Sequence, residues 1–354
     1  MKILAFLLLL LLPISMHADD GNRADEALGC LVRGNCCMAD FDLLHAMEWY
    51  ERSLQLHATC EALRRLADCH YQRGDYRQAL LALSSISDDS LRHADMRLKY
   101  HCFARQKQMD SLFVWGGRIV EAFPLDADVV ADVASKYNEA GHSEQALKLT
   151  MQYHQLDSAN VYVERQMGYA QYLCGQYAEA ISTYERLAER GDSSVIVLFP
   201  LGMCYYMSHD RPNAYRVLRH AASATGHANA TCLAKLGIVA TQMGHDDEGV
   251  GYLQQAAKLF LPDDEVMALI FETMGDACLR MGNMQAGVDA YLQCLAHHPD
   301  KLYYVYYELA QGYGALKDAA NERKYYRLFL SETAKLKSTE GLEEAMAFAR
   351  AKAK

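Results

Sequence analysis

Apolar residues along this chain recur every three or four positions, in blocks that come in pairs. That is the period of helices with one buried face. The stretch 271–299, FETMGDACLRMGNMQAGVDAYLQCLAHHP, shows the unit. Met274, Cys278 and Met281 share one side of a first helix, and Val288, Tyr291, Leu292 and Leu295 share one side of a second. Gly282-Asn283 separates them, because glycine takes the left-handed conformation that ends a helix at little cost. Pro299 closes the second helix. Gly275 and Gly287 carry no side chain, so two antiparallel helices are expected to approach closely there. One such hairpin cannot bury its apolar face alone, and copies must stack.

Anchors for the close approach on the first helix fall at Gly34, Ala67, Tyr100, Ala134, Gly168, Gly202, Gly237, Gly275 and Ala310, in steps of 33, 33, 34, 34, 34, 35, 38 and 35 residues. Their counterparts on the second helix (Ala46, Ala79, Leu112, Ala146, Ala180, Ala214, Gly249, Gly287 and Glu322) each follow 12 residues later. Tyr100 is the bulky exception. This pattern resembles the tetratricopeptide repeat, whose period is about 34 residues. Residues 164–190 (ERQMGYAQYLCGQYAEAISTYERLAER) and 271–299 match it best, and the first, third and last copies match least. The resemblance covers roughly 310 of the 354 residues. It implies an all-α fold, a right-handed superhelical solenoid of about nine helix–turn–helix repeats over 24–334, with a C-terminal capping helix over 335–354. Between the seventh and eighth copies, the longer step places extra residues at Leu261-Pro262-Asp263-Asp264. Ser338 or Thr339 is expected to cap the last helix.

The chain begins differently. Lys2 precedes ten unbroken apolar residues, Ile3–Leu12, and then Pro13. Ten residues are too few for a bilayer-spanning helix, which needs about 20, and suit a signal-peptide core. We read residues 1–18 as a signal peptide cleaved after Ala18, in preference to an uncleaved anchor. No cysteine follows the cleavage point closely enough for a lipoprotein signal. The expectation is an exported, periplasmic bacterial protein with no transmembrane helix in the mature chain.

Composition narrows the function classes. A 51% hydrophobic and 23% charged chain forms a sizeable core. Its net charge of −10 argues against a phosphate-tracking nucleic-acid binder, whose footprint would be basic. Eleven cysteines suggest a disulfide scaffold until they are placed. Cys69, Cys102 and Cys204 sit two residues after first-helix anchors, and Cys294 takes an apolar place on a second helix. Small buried side chains are expected there, which a free thiol resembles. Cys30, Cys36 and Cys37 form a separate cluster that a disulfide or a metal site with His45 would fit, although it lacks the C-x-x-C spacing of common zinc sites.

No metalloprotease, nucleophile-elbow, phosphate-loop or dinucleotide motif occurs. The sequence implies no cofactor, no metal and no catalytic residue. In the family that this chain resembles, first helices line an inner groove that holds peptides or partner helices. Residues three before, one after and four after each anchor share one helix face. That row selects Arg64, Arg97, Arg165, Tyr169, Tyr172, Phe199, Met203 and Tyr206, with Tyr162 and Ile196 one turn earlier. Tyrosine and arginine are frequent binding hot spots, and methionine adapts to irregular surfaces. The expected partner is a protein or peptide segment held by the central aromatics, with the arginines fixing acidic groups near one end. The competing reading is that the tyrosines only fill space between helices. Exposed apolar groove residues also allow self-association. The carboxylate clamp of chaperone-binding relatives does not carry over, because Arg64 is followed by Asp68 and Arg97 by His101. The leading function is a non-catalytic interaction scaffold or adaptor in the cell envelope. Alternatives are a glycan- or peptidoglycan-associated binding protein, and an enzyme using an acid pair at Glu272 and Asp276.

Overall fold

The computed structural model of the chain describes residues 20–259, 264–298, 303–334, 336 and 340–353. The leader read over 1–18, the insertion at Leu261-Pro262-Asp263 and the Ser338/Thr339 cap lie outside them. The described residues are all-α, with no strand among them. They divide into two compact units, one ending at Val133 and one beginning at Ala134.

The first unit contains α1 (Asp20–Ala39), α2 (Leu43–Leu56), α3 (Cys60–Gln72), α4 (Tyr76–Ser84), a 3-10 turn at Asp88–Ser90, α5 (His93–Arg105), α6 (Met109–Ala122) and the first part of α7 (Ala127–Glu139). The second contains the rest of α7, then α8 (Ser143–Leu156), α9 (Val161–Leu173), α10 (Tyr177–Glu189), α11 (Val195–Met207), α12 (Arg211–Ala224), α13 (Ala230–Gln242) and α14 (Asp246–Leu259). It continues with α15 (Asp264–Arg280), α16 (Met284–His297), α17 (Tyr303–Ala315), α18 (Ala319–Thr333) and α19 (Glu340–Lys352). Odd-numbered helices carry the first-helix anchors and even-numbered helices the second. Each unit is a stack of tetratricopeptide-like hairpins.

The anchors are small because the residue sixteen positions on is large. A Cβ built on Gly34 would lie 2.5 Å from the Tyr50 ring, and one on Gly275 2.8 Å from the Tyr291 ring. At Gly202 and Gly237 it would meet Leu218 and Leu253, each at 2.7 Å. Tyr50, Tyr291, Leu218 and Leu253 are all fully buried. The third copy reverses the sizes. Tyr100 is bulky and fully buried, and sixteen residues later stands Gly116, where a Cβ would lie 3.2 Å from the Tyr100 ring and 2.5 Å from Val133. The exception on the sequence is therefore the same close approach with large and small exchanged. Close packing explains why one exchange requires the other.

The hairpin turns are equally regular. The residue seven after each anchor has a left-handed backbone: Gly74 (φ 79°), Gly141, Gly175, Gly244 and Gly282, but also Phe41, Lys107 (φ 56°), His209 (φ 62°) and Lys317. Five of the second helices begin on a side-chain cap that satisfies an orphan amide. Examples are Asp75 to the Gln78 N–H (3.3 Å), Asp210 to that of Asn213 (3.2 Å) and Asn283 to that of Ala286 (3.4 Å).

One core of the second unit gathers Tyr184, Leu187, Val197, Leu201, Leu233 and Leu253. Another joins Tyr291, Val305, Leu309, Tyr326 and Phe329 to Ala349 of α19. That last helix also places Phe348 6.0 Å from Tyr326, and the Arg327 Nε donates to the Ala353 carbonyl (3.1 Å). All eleven cysteines are free. Cys69, Cys102, Cys204 and Cys294 are fully buried, in the small apolar places expected of them. Among the described residues, no group of His, Cys, Asp and Glu is arranged to hold a metal ion. His45 instead pairs with Asp42 at 2.6 Å.

Candidate partner-binding groove

Because each first helix turns its anchor toward the second helix, the face made by residues six before, three before, one after and four after the anchor turns elsewhere. In the second unit this face belongs to α9, α11, α13, α15 and α17. On α9, Tyr162 is 63% exposed and Tyr169 39% exposed, while Tyr172 is half-buried. Tyr169 and Tyr172 stack at 6.3 Å with planes 17° apart, and the Arg165 guanidinium lies 5.8 Å over the Tyr162 ring. These contacts hold two tyrosines at the surface in fixed positions.

On α11, Ile196 is 59% exposed, whereas Phe199 and Tyr206 are half-buried against the core. Met203 is 7% exposed and supports the surface from below. Tyr206 accepts a hydrogen bond from the Gln242 Nε2 at 3.2 Å. This helix, VIVLFPLGMCYYM, is apolar on every side, and Pro200 removes the N–H that would bond the Ile196 carbonyl. On α13 the same face is closed, with Ala234, Ile238 and Thr241 all buried. Leu269 of α15 and Tyr304 of α17 are again exposed. The row six before the anchor thus reads Tyr162, Ile196, Thr231, Leu269, Tyr304. Sequence reasoning stopped at the first two. The signal for the others was the same spacing carried two copies further.

The arginines are engaged. In the first unit, the Arg64 Nε donates to Asp95 Oδ2 at 2.8 Å, and its Nη2 to the Ser90 carbonyl at 2.6 Å. Arg97 bonds Asp126 at 3.0 Å and Asp128 at 3.2 Å. In the second unit, Arg165 bonds Asp192 at 2.6 Å. Each partner lies one copy further along the chain, next to or at the start of the next first helix. Asp95 also accepts from the Arg92 N–H, and Asp126 caps the Val129 N–H. The three arginines therefore tie hairpin to hairpin within each unit.

Glu272 and Asp276 of α15 and Glu308 of α17 form no salt bridge among the described residues. Asp276 accepts a hydrogen bond from the buried Tyr291 hydroxyl. Burial, aided by the Asp276 charge, holds the Glu272 and Glu308 carboxyls above the usual range, and a Tyr304 hydrogen bond to Glu272 partly opposes it.

No protein-family model and no curated relative matches the chain. Solved structures do. A tetratricopeptide repeat-containing protein from Cytophaga hutchinsonii aligns at 13% identity over 81% of this chain and 99% of its own (TM-score 0.49). YrrB, described as a tetratricopeptide protein with an unusual peptide-binding site, aligns at 16% identity over 53% and 94% (0.46). The Cut9–Hcn1 hetero-tetramer of the APC/C aligns at 16% over 92% and 70% (0.43).

Proposed function

We propose that this chain is a non-catalytic scaffold that holds a segment of another protein on the first-helix face of its second unit. One observation carries the reading: Tyr162 and Tyr169 of α9 and Ile196 of α11 stand exposed on the first-helix face, the two tyrosines held by stacking and by Arg165. Large apolar side chains gathered at one surface mark contact sites, and rigid tyrosines lose little entropy on binding. Tyr172, Phe199 and Tyr206 form the walls of this site, with Met203 beneath. Arg64 and Arg97 act as staples of the first unit, since an acidic ligand would have to displace Asp95 or Asp126. The leader over 1–18 directs the chain to the periplasm, the hairpins over 24–334 form the scaffold, and the last helix, Glu340–Lys352, packs on its final hairpin. No helix among the described residues is long and apolar enough to cross a membrane.

The test is a photo-cross-linking residue placed at Tyr169, and in a second variant at Met151, which is exposed on α8. A discrete adduct with one protein from the first site, absent from the second, supports the scaffold. Equal labelling from both sites, or none from Tyr169, refutes it. An adduct to glycan alone moves the groove to the carbohydrate-binding class.

A further inference from the structure

The first unit carries a second surface, which shares no residue with α9 or α11. A cavity of about 360 Å³ opens between α4 and the turn from α5 to α6, lined by Arg77, Leu80, Leu81, Ser84, Gln106 and Gln108. Ligand sites begin at about 300 Å³. Its rim is open, since Arg77, Leu81, Ser84 and Gln108 are all exposed. We propose that this cavity seats the carboxylate of a glutamate or aspartate on a partner protein, with an aliphatic neighbour of that residue against Leu80 and Leu81.

Three observations point to an acceptor with negative charge. The Arg77 guanidinium makes no hydrogen bond or ion pair among the described residues. The residues three and four away from it are Arg73, Gly74, Leu80 and Leu81, none of them acidic. Asp75, nearer in the chain, is taken up in capping the Gln78 N–H. The second observation is Gln106. Its Oε1 accepts from the Gln108 Nε2 at 3.2 Å, while its own Nε2 is shielded from solvent and has no acceptor. A shielded donor left unpaired is costly, and the soft terminal torsion of glutamine lets it turn to an incoming oxygen. Third, Gln108 begins α6 without a side-chain cap, which leaves the positive end of that helix beside the cavity. Asp110, the one acid of that first turn, does not line the cavity. Lys107, between the two glutamines, adds another exposed cation.

The other wall selects the neighbour. Leu81 is 55% exposed and Leu80 half-buried, so apolar surface stands next to the arginine. An inorganic anion would meet only the polar half. In an extended segment, side chains two positions apart share one face. A carboxylate and an aliphatic residue at that spacing meet both halves, while the open rim leaves their backbone outside.

The experiment is fluorescence anisotropy of the full chain with two fluorescein-labelled peptides. One carries Leu-Ser-Glu in a Gly-Ser context, and the other has glutamine in place of the glutamate. At low salt the glutamate peptide should bind at least about fivefold more tightly. Arg77→Gln should remove most of that difference and Gln106→Leu about half of it. Lys148→Gln, which removes an exposed charge from α8, should leave it unchanged. Leu81→Ser should weaken both peptides about threefold. Equal affinity for the two peptides overturns the proposal. So does a difference that survives Arg77→Gln, or failure of the glutamate peptide to bind.

Discussion

If the third copy exchanges large and small at its close approach, then replacing Tyr100 and Gly116 together should be far less harmful than the separate changes suggest. Tyr100→Ala empties a fully buried site and removes the hydroxyl that donates to Asp132 at 2.7 Å. Truncating a buried aromatic costs about 3–5 kcal/mol. Gly116→Leu alone drives a side chain into space where even a Cβ would lie 2.5 Å from Val133 and 3.2 Å from the Tyr100 ring. Overpacking of that kind costs about 1–3 kcal/mol. In the double variant the leucine occupies the volume vacated by the tyrosine, reproducing the pair Ala67 and Leu83 of the second copy. The expected coupling is about 2 kcal/mol in favour of the double variant. Urea unfolding of the full chain followed by tryptophan fluorescence measures it directly. Both tryptophans, Trp49 and Trp115, lie in the first unit, and Trp115 adjoins Gly116. Strict additivity of the two single costs would refute the exchange.

Other consequences are as direct. Lys107 holds a left-handed backbone at φ 56° where five other copies use glycine, so Lys107→Gly should stabilise the chain by up to about 1 kcal/mol in the same unfolding assay. Glu164 is buried and bonded to Arg186 (3.2 Å) and Arg190 (2.7 Å); Glu164→Gln should cost about 2 kcal/mol, below the full value for a buried pair because both guanidiniums face solvent. Burial pushes the Cys102, Cys204 and Cys294 thiols up to about 12, and Cys69 and Cys232 to about 11. Unfolded, these thiols ionise near 9, so stability is complete below that pH and falls as pH rises from about 9 to 12. A melting temperature flat across that window would contradict the burial. In native labelling with a maleimide at neutral pH, the exposed Cys36 should react fast and the buried thiols only on unfolding.

The fold was legible because its period is written in small residues. Nine anchors in step are a stronger signal than any local propensity, and each of them falls within a helix of the structure. The weak third copy was weak only under a rule that looked for small residues at one position. The physical requirement is a sum of two volumes, and Gly116 supplies the small half. The turns show the same limit. Glycine marks five of the nine left-handed positions, while Phe41, Lys107, His209 and Lys317 meet the same geometry with a side chain. Nothing in their residue types announces it.

Charge was the least legible, for a reason that is itself periodic. Face arguments compare residues three or four apart, whereas the ion pairs of the predicted arginines span one copy: Arg64 to Asp95, Arg97 to Asp126, Arg165 to Asp192. An arginine three before an anchor is therefore neutralised when an aspartate stands at or just before the start of the next first helix. The same period can be applied to α15. Beside Glu272 stand Ala234 one copy earlier and Tyr307 one copy later; beside Asp276 stand Ile238 and Gln311. None is basic. The cation that reaches Asp276 stands instead on its own helix, at Arg280, which is also bound to Asp246 one copy earlier. By this rule the row that looked like an arginine site is internally balanced.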